Sequence, residues 1–163
     1  MKSQKVSLGK IILVGTSVRT NNKNEMNPES AKIGPHFHSY TMNNLGEKIK
    51  HRIRPNVIYS VYTEYESNEH GEYTHFIGEA VDSLEGQDLS LFKTLTLPVS
   101  AYQKFTTASG HMPQIVVEAW QLIWQIKPSE FMAKRSYVAD FEMYDEKSWD
   151  MKNAVVDIYI GID

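Results

Sequence analysis

The chain has no cysteine among its 163 residues. That excludes a disulfide framework, a thiolate zinc site, an iron–sulfur cluster and a cysteine nucleophile. It also has no stretch approaching the ~18 consecutive apolar residues of a membrane span, and residues 1–10 carry no apolar run of the signal-peptide kind, so a cytoplasmic location with no membrane partner is expected. An excess of one charge is missing as well: 17 Lys and Arg stand against 20 Asp and Glu, a net charge of −3. Nucleic-acid binding needs a basic face that releases counterions, so small molecules or proteins are the expected partners. The nine glycines form no G-x-G-x-x-G or Walker pattern, and no Gly-x-Ser-x-Gly elbow occurs. Neither a phosphate-bound cofactor nor a Ser-His-Asp hydrolase is expected. Of the six histidines only His36 and His38 lie close in sequence. Two residues apart on a helix they face different directions, and no metal site is expected.

Aromatic residues are plentiful by contrast: nine tyrosines, six phenylalanines and three tryptophans. A tyrosine has a flat apolar body and a polar tip, which suits both a half-buried sheet and a ligand pocket. Length alone leaves one domain or two modules of about 80 residues open. The order of elements bears on that choice. Val6 to Thr20 is rich in β-branched residues and reads as a strand, and the polar run Asn21 to Asn24 ends it. Pro35 suits a first helical turn, and Phe37, Tyr40, Met42 and Leu45 follow at helical spacing, which predicts a helix from about Pro35 to Lys50. Two strands follow, Val57 to Glu66 and Glu72 to Asp82, around the turn Ser67 to Gly71.

After the polar stretch Ser83 to Ser90 the order begins again. Phe92 to Thr106 contains a strand, and Met112-Pro113 opens a helix whose apolar residues from Ile115 to Ile126 keep a 3.6-residue period up to Pro128. Tyr137 to Tyr144 and Ala154 to Ile162 are two more strands around a polar loop that holds Trp149. Tyr62-Thr63-Glu64-Tyr65 lines up with Phe141-Glu142-Met143-Tyr144, and Thr74 to Gly78 with Asp157 to Gly161. The expectation is an α+β fold of duplicated β-α-β-β repeats, about 6–82 and 91–163, in one domain spanning 1–163. Pseudo-twofold symmetry, antiparallel sheets, two main helices and a central ligand pocket at the seam complete it. The one basic cluster, Lys48 to Arg54, closes the first helix and complements its dipole. No segment is left over for a helix-turn-helix, so no DNA-reading part is expected.

Ile33-Gly34-Pro35, Leu97 to Tyr102, Val117 to Trp120, Ala139 to Tyr144 and Val156 to Ile160 occur in an order that resembles the effector-binding domains of bacterial transcription activators. These are also called gyrase-inhibitor-like small-molecule-binding domains. The resemblance implies an aromatic pocket between the halves for flat, lipophilic, often cationic compounds, with a buried glutamate on a strand of the second half. That glutamate falls on Glu142. Where other members carry a carboxylate earlier on this strand, this chain has Tyr137, and Phe37 replaces a frequent first-helix tryptophan.

On an alternating strand Glu142 shares its face with Asp140 and Tyr144, away from Phe141 and Met143. It lies either in the seam or on a solvated outer face. Trp120 and Trp124, four apart on one helix, serve either as core or as a stacking surface, and Glu118 points away from them. Tyr73 matches a pocket tyrosine of the activator branch. The expected ligand-binding set is Glu142, Tyr144, Tyr137, Tyr73, Phe37, Tyr40, Trp120 and Trp124, in a stand-alone protein that acts as a drug sink or sensor, or serves a separately encoded regulator, with a homodimer or that regulator as the protein partner. Two alternatives stand beside it. In the first, the chain hydrolyses strained ring compounds with Glu142 as general base and Tyr137 or Tyr144 as proton donor. In the second, it is a gyrase-inhibitor-like protein.

Overall fold

The computed structural model describes residues 1–163. Eight strands form one antiparallel sheet: β1 (Lys2–Leu8), β2 (Ile11–Thr20), β3 (Ile58–Thr63), β4 (Tyr73–Ala80), β5 (Lys93–Leu97), β6 (Ser100–Thr106), β7 (Arg135–Tyr144) and β8 (Asp157–Ile162). Three α-helices accompany them: α1 (Asn22–Glu25), α2 (Ile33–Met42) and α3 (Gln114–Gln125). The fold is therefore α+β, and no helix is long and apolar enough to cross a membrane.

The strand order is β1-β6-β8-β7-β3-β4-β2-β5. Two sheets meeting at a seam were expected; instead the β3–β7 pair joins both halves into one continuous sheet. Two further boundaries differ from the sequence reading. Val6–Thr20 and Phe92–Thr106 each break into two strands, at Gly9-Lys10 and at Pro98-Val99. A single strand of 15 residues would run about 50 Å at ~3.3 Å per residue, too long for a compact sheet. Each break sends the first strand of its half to the far edge of the other half, so β1 pairs with β6 and β5 pairs with β2. The first long helix also ends early, at Met42. Asn44 sits at φ 50°, the left-handed conformation that asparagine tolerates best among non-glycine residues, and a 3-10 turn over Leu45–Lys48 follows.

Alternation along the strands divides the core. On one face Leu13, Val61, Phe76, Leu97, Tyr102, Ala139, Phe141 and Tyr159 form a single cluster, with Phe141 stacked on Tyr159 at 4.4 Å. Leu8 from one edge strand and Leu97 from the other belong to the same cluster, so the sheet curls around it. The opposite face carries the helices. There Tyr40 of α2 packs with Val14, Ile49, Ile77 and Phe92, while Val116, Ala119 and Ile123 of α3 pack on Phe105, Ile158 and Ile160. Burial of such side chains contributes about 1.5–3 kcal/mol each before entropy is counted. Tyr62 faces the helices and Phe141 faces away from them, so the sequence alignment that matched these two is out of register by one residue.

Candidate functional site: an aromatic cavity floored by a buried carboxylate

Between α2 and α3, over the β3–β7 pair, lies a cavity of about 1070 Å³. Its walls come from Phe37 and Gly34 of α2 and from Val116, Val117, Trp120 and Trp124 of α3. Its floor comes from Ile58, Tyr62, Tyr73, Glu142 and Tyr144 of the sheet, and Trp149 and Met151 lie at its exposed rim. Lining of this kind, mostly apolar with a few convergent polar atoms, is typical of small-molecule sites.

Glu142 is 2% exposed. Its Oε1 accepts hydrogen bonds from the Tyr62 hydroxyl at 2.9 Å and the Trp120 indole N–H at 2.6 Å, and its Oε2 accepts one from the Tyr144 hydroxyl. Burial raises the Glu142 pKa above the ordinary carboxylate value, and the three donors oppose that rise. An ionised carboxylate only accepts, which is what three converging donors require. Burial, together with the neighbouring Glu142 charge, pushes the Tyr62 and Tyr144 hydroxyls well above the usual phenol range. Both phenols therefore stay protonated as donors.

Glu142 is placed by register. Alternation puts Asp140, Glu142 and Tyr144 on the helix-facing side of β7, and Glu142 pairs across the sheet with Ser60 of β3. The Ser60 hydroxyl lies 2.8 Å from His75 Nε2, His75 Nδ1 lies 3.0 Å from His36 Nδ1, and His36 Nε2 lies 2.8 Å from the Thr16 hydroxyl. Burial lowers the pKa of His36 to about 4; burial and then the His36 charge lower that of His75 to about 3. Both rings are neutral near pH 7, so one Nδ1 donates and the other accepts, and the whole chain of bonds has a single direction. His36 finds its partner on β4, 39 residues away, and not in His38.

A second polar centre flanks the first. Asp140 is fully buried, and its Oδ2 accepts from Arg135 and from the Tyr65 hydroxyl, each at 2.6 Å, while its Oδ1 accepts the Gly161 N–H at 2.8 Å. Arg135 reaches this position through an irregularity in β7, where pairing with β8 shifts between Arg135 and Asp140 and Tyr137 adopts φ 52°.

Six of the eight residues expected at the site line the cavity: Glu142, Tyr144, Tyr73, Phe37, Trp120 and Trp124. Two do not. Tyr40 is one turn along α2 from Phe37 but is 3% exposed in the core cluster beneath that helix. Tyr137, turned by its positive φ, stands behind Glu69 and gives its hydroxyl to that carboxylate. Tyr62, Tyr65, Glu69, Arg135 and Trp149 also line the cavity and are not among the residues the sequence marks as ligand-binding. Tyr62 was within reach, because alternation from the apolar Val61 puts it on the helix-facing side. Glu69 and Arg135 were not, since a turn and a bulge carry no periodicity.

Three comparisons bear on this geometry. The profile described as "Cass2: Integron-associated effector binding protein" matches residues 6–162. A Bacillus subtilis (strain 168) protein, "Putative transcriptional regulator protein YobU", is 31% identical over 151 residues, covering 91% of this chain and 89% of that one. Among solved structures, the Vibrio cholerae integron cassette protein VCH_CASS2 superposes with a TM-score of 0.76 at 28% identity, covering 99% of this chain and 95% of the other. The structure of SAV2435 bound to tetraphenylphosphonium gives a TM-score of 0.77 at 17% identity, with 100% and 94% coverage, and shares the fold. The eight-stranded fold, its inter-helix cavity and these matches lead to one assignment: the chain belongs to the Cass2 family of integron-associated effector binding proteins.

Proposed function

We propose that this protein captures flat, lipophilic cations in the cavity between α2 and α3, with Glu142 as the counter-charge. One observation carries the reading: a buried carboxylate on the floor of an aromatic cavity already receives three hydrogen bonds, from Tyr62, Trp120 and Tyr144. Its oxygens are occupied while its charge is not neutralised by any nearby cation. A bound cation then gains from the field of Glu142 and the ring faces without a hydrogen bond of its own. Quaternary or delocalised cations suit such a floor better than an ammonium, which would lose its water and find most of the Glu142 lone pairs already engaged. The tetraphenylphosphonium in the SAV2435 structure is a cation of this type, and the regulator name of the Bacillus relative supports a role in sensing effectors.

The same geometry favours binding over hydrolysis. A general base needs a lone pair directed at water, and the donors on Glu142 compete for those lone pairs. The test is titration with tetraphenylphosphonium and cationic dyes, followed by tryptophan fluorescence and calorimetry. Micromolar binding that weakens about tenfold or more in Glu142→Gln, ~1.4 kcal/mol, is expected. Absence of any micromolar cation, or equal binding by Glu142→Gln, overturns the proposal.

A further inference from the structure

We infer that the cavity holds a second cation station at Glu69, so that elongated effectors with a positive group at each end bind in preference to singly charged ones. This rests on the reading of Glu142 given above and extends it to the class of ligand.

Glu69 lies in the turn between β3 and β4 and lines the cavity. Its Oε2 accepts the Tyr137 hydroxyl, and its backbone carbonyl accepts Asn22 Nδ2 at 2.9 Å, which ties the turn to α1. The carboxylate is thus oriented by the fold while its side chain keeps 36% exposure, open to a ligand.

The charges lining the cavity leave two carboxylates without a committed cation. Glu25 is spent at the start of α2, where it accepts from the Thr20 hydroxyl and the backbone N–H groups of Lys32 and Ile33. Arg135 is the one guanidinium, and it is held by Asp140 at 2.6 Å and lies 4.3 Å from the centre of the Tyr137 ring. Two cations act on Glu69: Arg135, whose charge reaches it without an ion pair while its guanidinium is bonded to Asp140, and His70, 3.8 Å away with its side chain 84% exposed, a geometry in which an ion pair contributes little. Glu142 has only neutral donors.

These two carboxylates stand at opposite ends of one aromatic path. Tyr62, which donates to Glu142, is followed by Tyr73, Tyr65 and Tyr137, which donates to Glu69, with successive ring centres 5.8, 5.9 and 5.7 Å apart. Tyr62, Tyr73 and Tyr65, the members of this path that line the cavity, offer apolar contact to the frame of a ligand and cation–π attraction to its ends. Occupying both stations at once makes the second contact intramolecular, so the gain depends on the spacing of the charges.

The experiment is calorimetry of the intact chain with a series of bis(trimethylammonium)alkanes of increasing length, each against the alkyltrimethylammonium of the same length. The expected result is an optimum length at which the doubly charged ligand binds about tenfold tighter than its singly charged match, ~1.4 kcal/mol. Glu69→Gln should bring that ratio close to one, whereas Glu142→Gln should weaken both members of each pair. Doubly and singly charged ligands binding alike at every length overturns the second station, as does a ratio that survives Glu69→Gln. Either result leaves the Glu142 reading standing. If the singly charged ligands fail to bind at all, the reading of Glu142 falls first, and the two failures are told apart.

Discussion

Trp120 Nε1 donates to Glu142 Oε1 at 2.6 Å and thereby ties α3 to β7 across the floor of the cavity. This bond joins the rigid sheet, which fixes the charge, to the helix that forms one wall. It also makes Trp120 a reporter of events at Glu142, and the neighbouring Trp124 ring, 6.2 Å away, extends the same wall toward solvent.

Trp120→Phe keeps most of the ring and removes the donor. Hydrogen bonds to charged groups contribute about 1.5–3 kcal/mol, so a stability loss in that range is expected in urea. Glu142 should titrate higher, because one of the groups opposing its upward shift is gone. A cation titration repeated from pH 8 to pH 5 should therefore show binding failing at a higher pH than in the unchanged chain.

Acid should destabilise the fold through the His36–His75 pair. Their folded pKa values, about 4 and about 3, lie below the ordinary histidine value, so the unfolded chain binds protons that the folded chain refuses. Stability then falls as pH drops below about 6.5, by up to ~1.4 kcal/mol per pH unit for each histidine, until the folded values are reached. Glu79, Asp140 and Glu142, all shifted upward mainly by burial, act with the opposite sign. Comparing denaturation midpoints of the unchanged chain and of His36→Asn/His75→Asn between pH 7 and pH 4 isolates the histidines. The double variant should have the shallower loss.

Arg135→Met should be costly, because it leaves the Asp140 carboxylate buried with no cation. Breaking a buried pair on one side costs about 3–5 kcal/mol, and the Tyr65 and Gly161 donors that remain place this site at the lower end. Adding Asp140→Asn should recover part of the loss, and equilibrium unfolding of the two single variants and the double variant measures the coupling.

Gly15 and Gly78 face each other where β2 pairs with β4. A Cβ at Gly15 would collide with the carbonyl oxygen of Ile77, and one at Gly78 with that of Val14. Backbone in the middle of a sheet cannot yield, so Gly15→Ala should cost about 3 kcal/mol or more, the upper end of overpacking. The same change should loosen Thr16, the next residue, from His36, and thermal unfolding with one-dimensional histidine NMR would detect both effects.

The residues that faced the cavity correctly in the sequence are those on regular elements. Alternation along Asp140–Tyr144 put Glu142 and Tyr144 on one face, and the 3.6-residue period of Ile115–Ile126 gave α3 its extent, but neither pattern decided whether Glu142 and Trp120 meet a cavity. Tyr40 shows the limit of such reasoning. Periodicity marks the buried stripe of α2, but whether that stripe meets a cavity or a packed cluster depends on what the sheet presents beneath it.

Composition and periodicity alone therefore determined the class of fold and the elements that carry charge and rings, because these follow from local backbone geometry and from side-chain alternation; the resemblance to effector-binding domains, and not periodicity, pointed to Glu142. Tertiary structure decided the rest. It sent β1 and β5 to the far edges, merged the halves through β3 and β7, joined His36 to His75, and brought Glu69 and Arg135 to the cavity. Those contacts link residues far apart in the chain through a turn, a bulge and a crossing of strands. Their positions are set by packing against partners elsewhere in the fold, so no local pattern announces them.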